Sequence, residues 1–234
     1  MDAADLTCGV SGASPLTGHG AGRILIVTAV AAERDAVLRG LRGSAAFEVV
    51  AGGAGPAAAA AATARALAGG GYRLAVSAGI AGGFAGRAAI GSVVVASEIV
   101  AADLGAETPE GFRTLDELGF GTSRYETDAP LADRIAAALR AAGLSAAVGP
   151  VLTVSTVTGT AATAAELARR VPGAAAEAME GFGVAAAAAT SGVPVLEIRT
   201  VSNAVGPRDK AAWRMKEALE ALEAASSVLL EVCL

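Results

Sequence analysis

The sequence predicts an α/β fold in one domain, with a central mixed, mostly parallel β-sheet flanked by helices. Two observations carry that reading. Short β-branched apolar runs alternate along the chain with segments of helical period, the order that builds parallel βαβ units. The junctions between them are short and bear glycine, as at residues 52–55 and 79–83. The 234 residues suffice for one sizeable core, and neither an internal repeat nor a second-domain boundary interrupts the pattern.

The elements follow in order. Residues 23–28, Arg-Ile-Leu-Ile-Val-Thr, are a buried strand by their β-branched run. The next segment spaces Glu33, Val37, Leu38 and Leu41 as a helix does and stops near Gly43. Residues 47–51 are a second strand. Pro56 opens an alanine-rich helix to Leu67, since proline suits a first helical turn. Residues 74–78 are a third strand, running into a turn of sequence Gly-Ile-Ala-Gly-Gly at 79–83. A valine-rich strand covers 92–100. Residues 103–128 keep no sustained period and predict a long loop, functional or mobile. Pro130 starts a helix over 131–142, ended by Gly143; a strand over 151–157, a helix over 160–170 and a short buried segment over 174–178 follow. Residues 181–190 are a helix packed with alanine, able to lie close to a sheet. Pro194 bounds the next strand, 195–201, and residues 208–230 form a long amphipathic helix. Residues 1–22, rich in Gly, Ser, Ala and Thr, predict a disordered extension, which leaves 23–234 as the folded domain.

Composition narrows the function. The net charge is −5 and no Lys/Arg run occurs, which disfavours nucleic acid and anionic membranes as partners. Aromatic residues are 3% of the chain, too few for a base-stacking platform. No apolar run reaches membrane-spanning length, and the first ten residues carry acids where a signal peptide carries bases. Cys8 and Cys233 sit at opposite ends, which gives neither a disulfide framework nor a metal site and fits a reducing cytoplasm. The single histidine, His19, lies in the extension, so a general acid or base must be a carboxylate, Lys, Tyr or Cys.

The predicted topology gathers polar residues at one edge. Strand ends and helix starts on the carboxyl edge of an α/β sheet are where such folds place ligands. Met179 and Glu180 stand just before the helix at 181, and Arg199, Ser202 and Asn203 lie at the end of the strand that follows. Glu33 opens the helix after the first strand, near a helix N-terminus that keeps it ionised; position alone also fits an acid facing solvent. Gly79, Ile80, Ala81 and Gly82 fit an ordinary turn or a close backbone approach to a ligand, without the spacing of a dinucleotide fingerprint. Arg199, inside a buried strand, needs a partner in Glu197 or the site carboxylates; a purely structural ion pair and a ligand contact both fit.

Met179-Glu180 ahead of a helix, Arg199-Thr-Val-Ser-Asn203, the glycine-rich segment and Thr28-Ala-Val-Ala-Ala-Glu33 together resemble the nucleoside phosphorylase/nucleosidase superfamily, from about residue 23 to the C-terminus. Its methylthioadenosine/S-adenosylhomocysteine nucleosidases carry Met-Glu-Ala and Arg-Ala-Ile-Ser-Asp at these places, and a run Gly-Ala-Met-Glu-Glu of which only the last acid survives here. The resemblance implies a nucleoside phosphorylase-like fold and an N-glycosidic hydrolase of a purine nucleoside. It makes Glu33 the base that activates water, Glu180 the ligand of the ribose diol, Met179 a packing partner of the sugar, and residues 79–82 the lining of the nucleophile site. Asn203 replaces the family's Asp, and with residues 103–112 this points to hypoxanthine rather than adenine as the base. An Asn offers a donor to O6 and an acceptor to N7 as it gains a proton. No arginine stands in the 79–83 turn, and Ile80 holds a place where a hydroxyl would help bind phosphate; both favour water, while Arg73 and Arg87 keep phosphate open. The resemblance implies no metal, no organic cofactor, and a homodimer or larger assembly in which a neighbour's loop closes the 5′ pocket. Two rival classes are a Rossmann-like methyltransferase or dehydrogenase using residues 79–83, and a non-catalytic nucleoside-binding protein.

Overall fold

Strand β1 (Arg23–Thr28) is apolar on both faces, so the sheet has to be covered on both sides. In the computed structural model, which describes residues 22–234, this is what happens. Ile24 and Ile26 pack into one apolar cluster, Leu25 and Val27 into another. The extension expected over residues 1–22 lies, but for Gly22, outside the described residues.

The chain runs β1, α1 (Ala31–Leu41), β2 (Phe47–Ala51), α2 (Pro56–Leu67), β3 (Tyr72–Gly83), β4 (Val93–Ala101), β5 (Gly105–Thr108), β6 (Gly111–Thr114), β7 (Arg124–Glu126), α3 (Ala129–Ala141), β8 (Ala146–Thr153), α4 (Ala161–Arg170), β9 (Ala176–Ala178), α5 (Gly181–Thr190), β10 (Val195–Ala204) and α6 (Met215–Cys233). Helices α1, α3 and α6 cover one face of the sheet; α2 and α5 pack together on the other.

The main sheet is mixed and mostly parallel. β1 pairs in parallel with β2 and β3, β3 with β10, β4 with β8 and β8 with β9. The pairs β10–β4, β3–β9 and β4–β7 are antiparallel. Strands β3, β10, β4, β8 and β9 therefore close into a ring, from which β1 and β2 extend on the β3 side. Closure depends on the length of β3. Its residues 75–77 lie between β1 and β10, and its last residues, Gly82 and Gly83, pair with Glu177 and Ala176 of β9.

Here the structure corrects the sequence reading. Residues 79–83 are not a turn but the continuation of β3. Glycine is needed there because neighbours come too close for a side chain. A Cβ on Gly79 would sit 2.6 Å from Glu33 Oε1, and one on Gly83 would overlap the Ala88 carbonyl. The strand expected over 151–157 instead spans β8, starting at Ala146. Gly149 and Pro150 lie inside this strand. Pro150 fits because the β4–β8 register shifts between Ala96 and Ile99, where no partner needs its missing N–H. The stretch read as a loop from 103 to 128 holds the hairpin β5–β6 and the short β7. The last helix begins at Met215 rather than near 208, after a 3₁₀ turn at Lys210–Ala212.

Candidate functional site

The segments following β1 and β9 meet β10 itself and the middle of β3 at one edge of the sheet. Glu33 is the third residue of α1, and its carboxylate folds back over the helix start. Oε2 accepts from the Ala29 N–H at 2.9 Å and the Val30 N–H at 3.2 Å. Oε1 accepts from the Ile80 N–H at 2.9 Å. Only 3% of Glu33 is exposed, so it is not a solvent-facing acid. Three amide donors hold the group against β3, and Oε1, with a single acceptor contact, keeps a lone pair for a further donor.

Arg199 lies next to it. Its Nε donates to Glu197 Oε1 at 2.8 Å, its Nη2 to Ser77 Oγ at 2.9 Å, and its Nη1 stands 3.1 Å from Glu180 Oε2. Nη1 also reaches the Ile80 carbonyl at 3.5 Å. A Cβ on Gly79 would fall 2.8 Å from Nη1, so this glycine keeps Glu33 and Arg199 on either side of one narrow gap. Burial alone would draw the Arg199 pKa down; Glu197, Glu180 and Glu33 outweigh it and hold the pKa above the ordinary arginine value. Both partner choices expected for Arg199, Glu197 and a site carboxylate, are realised together.

Glu180 stands at the N-cap of α5 without capping it. Its Oε1 accepts from the Gly55 N–H at 3.2 Å and its Oε2 from the Met179 N–H at 3.3 Å. Met179 is half-buried beside it, on the link from β9 to α5. Glu197 is fully buried, and its Oε2 has no hydrogen-bond partner. Burial pushes the Glu197 carboxyl up, with Arg199 opposing.

The end of β10 is shaped by a bulge. Val201 pairs with Ala81 but Asn203 with Gly82, so Ser202 is an extra residue in the β10–β3 ladder. Bulges re-aim the side chains that follow them. Ser202 is buried; its hydroxyl donates to Asn203 Oδ1 at 2.8 Å, with the Ala81 carbonyl 3.3 Å away. Asn203 is half-buried, and its Nδ2 donates to the Ala204 carbonyl at 2.9 Å. Glu33, Gly79, Ile80, Glu180 and Arg199 thus form one contiguous cluster. Ala81, Gly82, Ser202 and Asn203 continue it along the β3–β10 seam.

Sequence reasoning passed over Ser77, the Gly55 amide, Glu177 and Thr158. Glu177 is buried on β9; its Oε1 accepts from the Thr158 N–H at 2.9 Å and its Oε2 from the Thr158 hydroxyl. Burial pushes this carboxyl up, with the Thr158 donors opposing. The pair pins the loop after β8 beside Met179. A carboxylate inside the small, apolar run 174–178 is the same signal that singled out Arg199 in its strand. The cations that kept phosphate open stand apart from the cluster. Arg73 is bound to the carbonyls of Gly22 and Cys233, and Arg87 is exposed on the loop beyond Gly83. Among the described residues no group of three or more His, Cys, Asp and Glu is placed to hold a metal ion, and no helix is long and apolar enough to cross a membrane.

The sequence and the fold have counterparts among known proteins. A family model described as the Phosphorylase superfamily matches residues 26–234. A futalosine hydrolase of Streptomyces coelicolor is 55% identical over 219 residues, covering 85% of this chain and 91% of that one. Those of Acidothermus cellulolyticus and Thermus thermophilus are 50% identical over 218 residues and 41% identical over 196, covering 88% and 82% of this chain and 89% and 84% of theirs. Among solved structures, the S-adenosylhomocysteine nucleosidase of Streptococcus pyogenes in complex with 5-methylthiotubericidin superposes with a TM-score of 0.76 at 21% identity, covering 91% of this chain and 96% of that one. The 5′-methylthioadenosine/S-adenosylhomocysteine nucleosidase of Neisseria meningitidis in complex with methylthio-immucillin-A gives 0.74 at 17% identity, covering 90% and 97%.

Proposed function

Because the chain belongs to the phosphorylase superfamily, and curated futalosine hydrolases resemble it over most of its length, we propose that it hydrolyses the N-glycosidic bond of futalosine. The reaction frees hypoxanthine, leaves dehypoxanthine futalosine and serves menaquinone biosynthesis. The observation that carries the mechanism is the buried Glu33 carboxylate, held by three amides with one oxygen turned to the gap at Gly79.

In this mechanism the glycosidic bond stretches toward an oxocarbenium-like sugar while the purine leaves. Glu33 takes the proton of the attacking water as general base. Glu180 orients the two ribose hydroxyls, and its charge favours the developing cation. Asn203 reads the base, donating to O6 and accepting from the N7–H that forms as N7 takes a proton from solvent. Met179 packs against the sugar, and Gly79, Ile80, Ala81 and Gly82 let the substrate approach the β3 backbone, with Ser202 holding Asn203 in place. The reaction needs no metal and no organic cofactor. The protein works in the cytoplasm as a homodimer or larger assembly; the β5–β6 hairpin and the loop after it, with Phe120 62% exposed, are the segments a neighbour would use to close the 5′ side.

The test is release of free base from a panel of purine nucleosides, with and without phosphate. Futalosine should be the preferred substrate, phosphate should not raise the rate, and the sugar product should be unphosphorylated. A sugar 1-phosphate product would make the protein a phosphorylase instead.

A further inference from the structure

Arg199 is the one cation in contact with the Glu33–Glu180 cluster among the described residues, and Glu197 sets its direction. Four charged groups face one another here: Glu33 from α1, Glu180 from the start of α5, and Glu197 and Arg199 from β10. β3 contributes no charge, only the Ser77 hydroxyl and the Ile80 amide and carbonyl, and the segment before α2 only the Gly55 amide. Glu197 takes Nε and Ser77 takes Nη2. With those two nitrogens held, a planar guanidinium has no freedom left, and Nη1 must point at Glu180. The arrangement also depends on Gly181. A Cβ there would overlap both oxygens of Glu197, although the first turn of a helix otherwise accepts alanine more readily than glycine. Glycine at this position leaves the space in which Glu197 sits.

We infer that Gly181, Glu197 and Arg199 form a buried relay that positions Glu180 for the ribose diol, with Glu197 and Gly181 as positioning residues for hydrolysis. The inference rests on the reading of Glu180 as the ligand of the diol. It does not require Glu197 to be charged, because a neutral carboxyl or amide carbonyl accepts from Nε as well.

The test compares kcat/KM for futalosine with that for 2′-deoxyfutalosine in four variants. Glu180→Gln should lower the ratio, because a site built to bind a substrate hydroxyl rejects the analogue that lacks it and loses that preference with the ligand. Glu197→Leu, similar in size but without an acceptor, and Gly181→Ala should lower the ratio by about tenfold or more, within the roughly hundredfold that a 1 Å misplacement can cost. Glu197→Gln, which keeps the acceptor, should hold the ratio near the wild-type value. General loosening would reduce both substrates alike and leave the ratio unmoved. If Glu180→Gln lowers the ratio while Gly181→Ala and Glu197→Leu do not, the relay is wrong and the diol reading stands. If Glu180→Gln leaves the ratio unchanged, the diol reading fails and the relay falls with it. Should Glu197→Leu not fold, Gly181→Ala against Glu197→Gln decides the question alone.

Discussion

Replacing Glu33 by glutamine turns one carboxylate oxygen into an NH₂ group, and the donors around it set the cost. Oε2 faces two N–H groups, from Ala29 and Val30, and Oε1 faces one, from Ile80. The amide will keep its carbonyl toward the pair and turn its NH₂ toward Ile80, setting donor against donor and leaving the buried Ile80 N–H without its acceptor. That costs about 1–3 kcal/mol, which for a chain of this size lowers Tm by roughly 2–12 °C. Against an ordinary stability of about 5–15 kcal/mol the variant stays folded at 25 °C. Loss of the base should cut turnover by about two to four orders of magnitude. The assay pairs thermal melting with hypoxanthine release at 25 °C, and hypoxanthine binding checks that the pocket survives. Turnover within about tenfold of wild type, in a variant with the expected melting shift, would remove Glu33 from the mechanism. An unchanged Tm would instead refute the hydrogen-bond accounting.

Three further outcomes are expected. Asn203→Asp sets an oxygen against the Ala204 carbonyl that Nδ2 now contacts and, in the pocket, an acceptor against O6; the kcat/KM preference for futalosine over its adenine-bearing analogue should fall by about tenfold or more, and an unchanged preference would mean that Asn203 does not read the base. Gly183→Ala places a methyl group into the Pro56 carbonyl where α2 and α5 touch; overpacking of this kind costs about 1–3 kcal/mol, to be read from chemical denaturation, with wild-type stability as the refuting result. Glu197→Gln should change the pH dependence of stability. Burial raises the Glu197 pKa in the folded state, with Arg199 opposing, so its stabilising proton is fully in place below the unfolded value of about 4.3 and its contribution is lost as pH rises through the folded value. The Tm of Glu197→Gln relative to wild type should therefore climb as pH rises from about 4; a difference flat in pH would show that Glu197 does not titrate abnormally.

Much of the fold was written locally. β1, β2, α2 and α5 fall where β-branched runs, Pro56 and the alanine stretch put them, because each is a short segment whose period and end signals lie in adjacent residues. Glu33, Glu180 and Arg199 were also legible, as charged residues at strand ends and helix starts or inside an apolar strand. One misreading has a cause that can be named. Glycine marks turns when the chain is read alone, yet at residues 79–83 it serves close packing inside a strand.

The sequence by itself determined the alternation of elements, the edge at which polar groups gather and the acids available for chemistry, since these depend on neighbours along the chain. Tertiary structure alone decided which groups touch. The closing of β3 onto β9 brings Glu180 within reach of Arg199, more than a strand away in sequence from either Glu33 or Ser77. The bulge at Ser202 sets the aim of Asn203, and the space above Gly181 admits Glu197. Such contacts arise from the registers of separate strands, and a register is fixed by the packing of both faces at once, so it has no local signature in the residues that end up meeting.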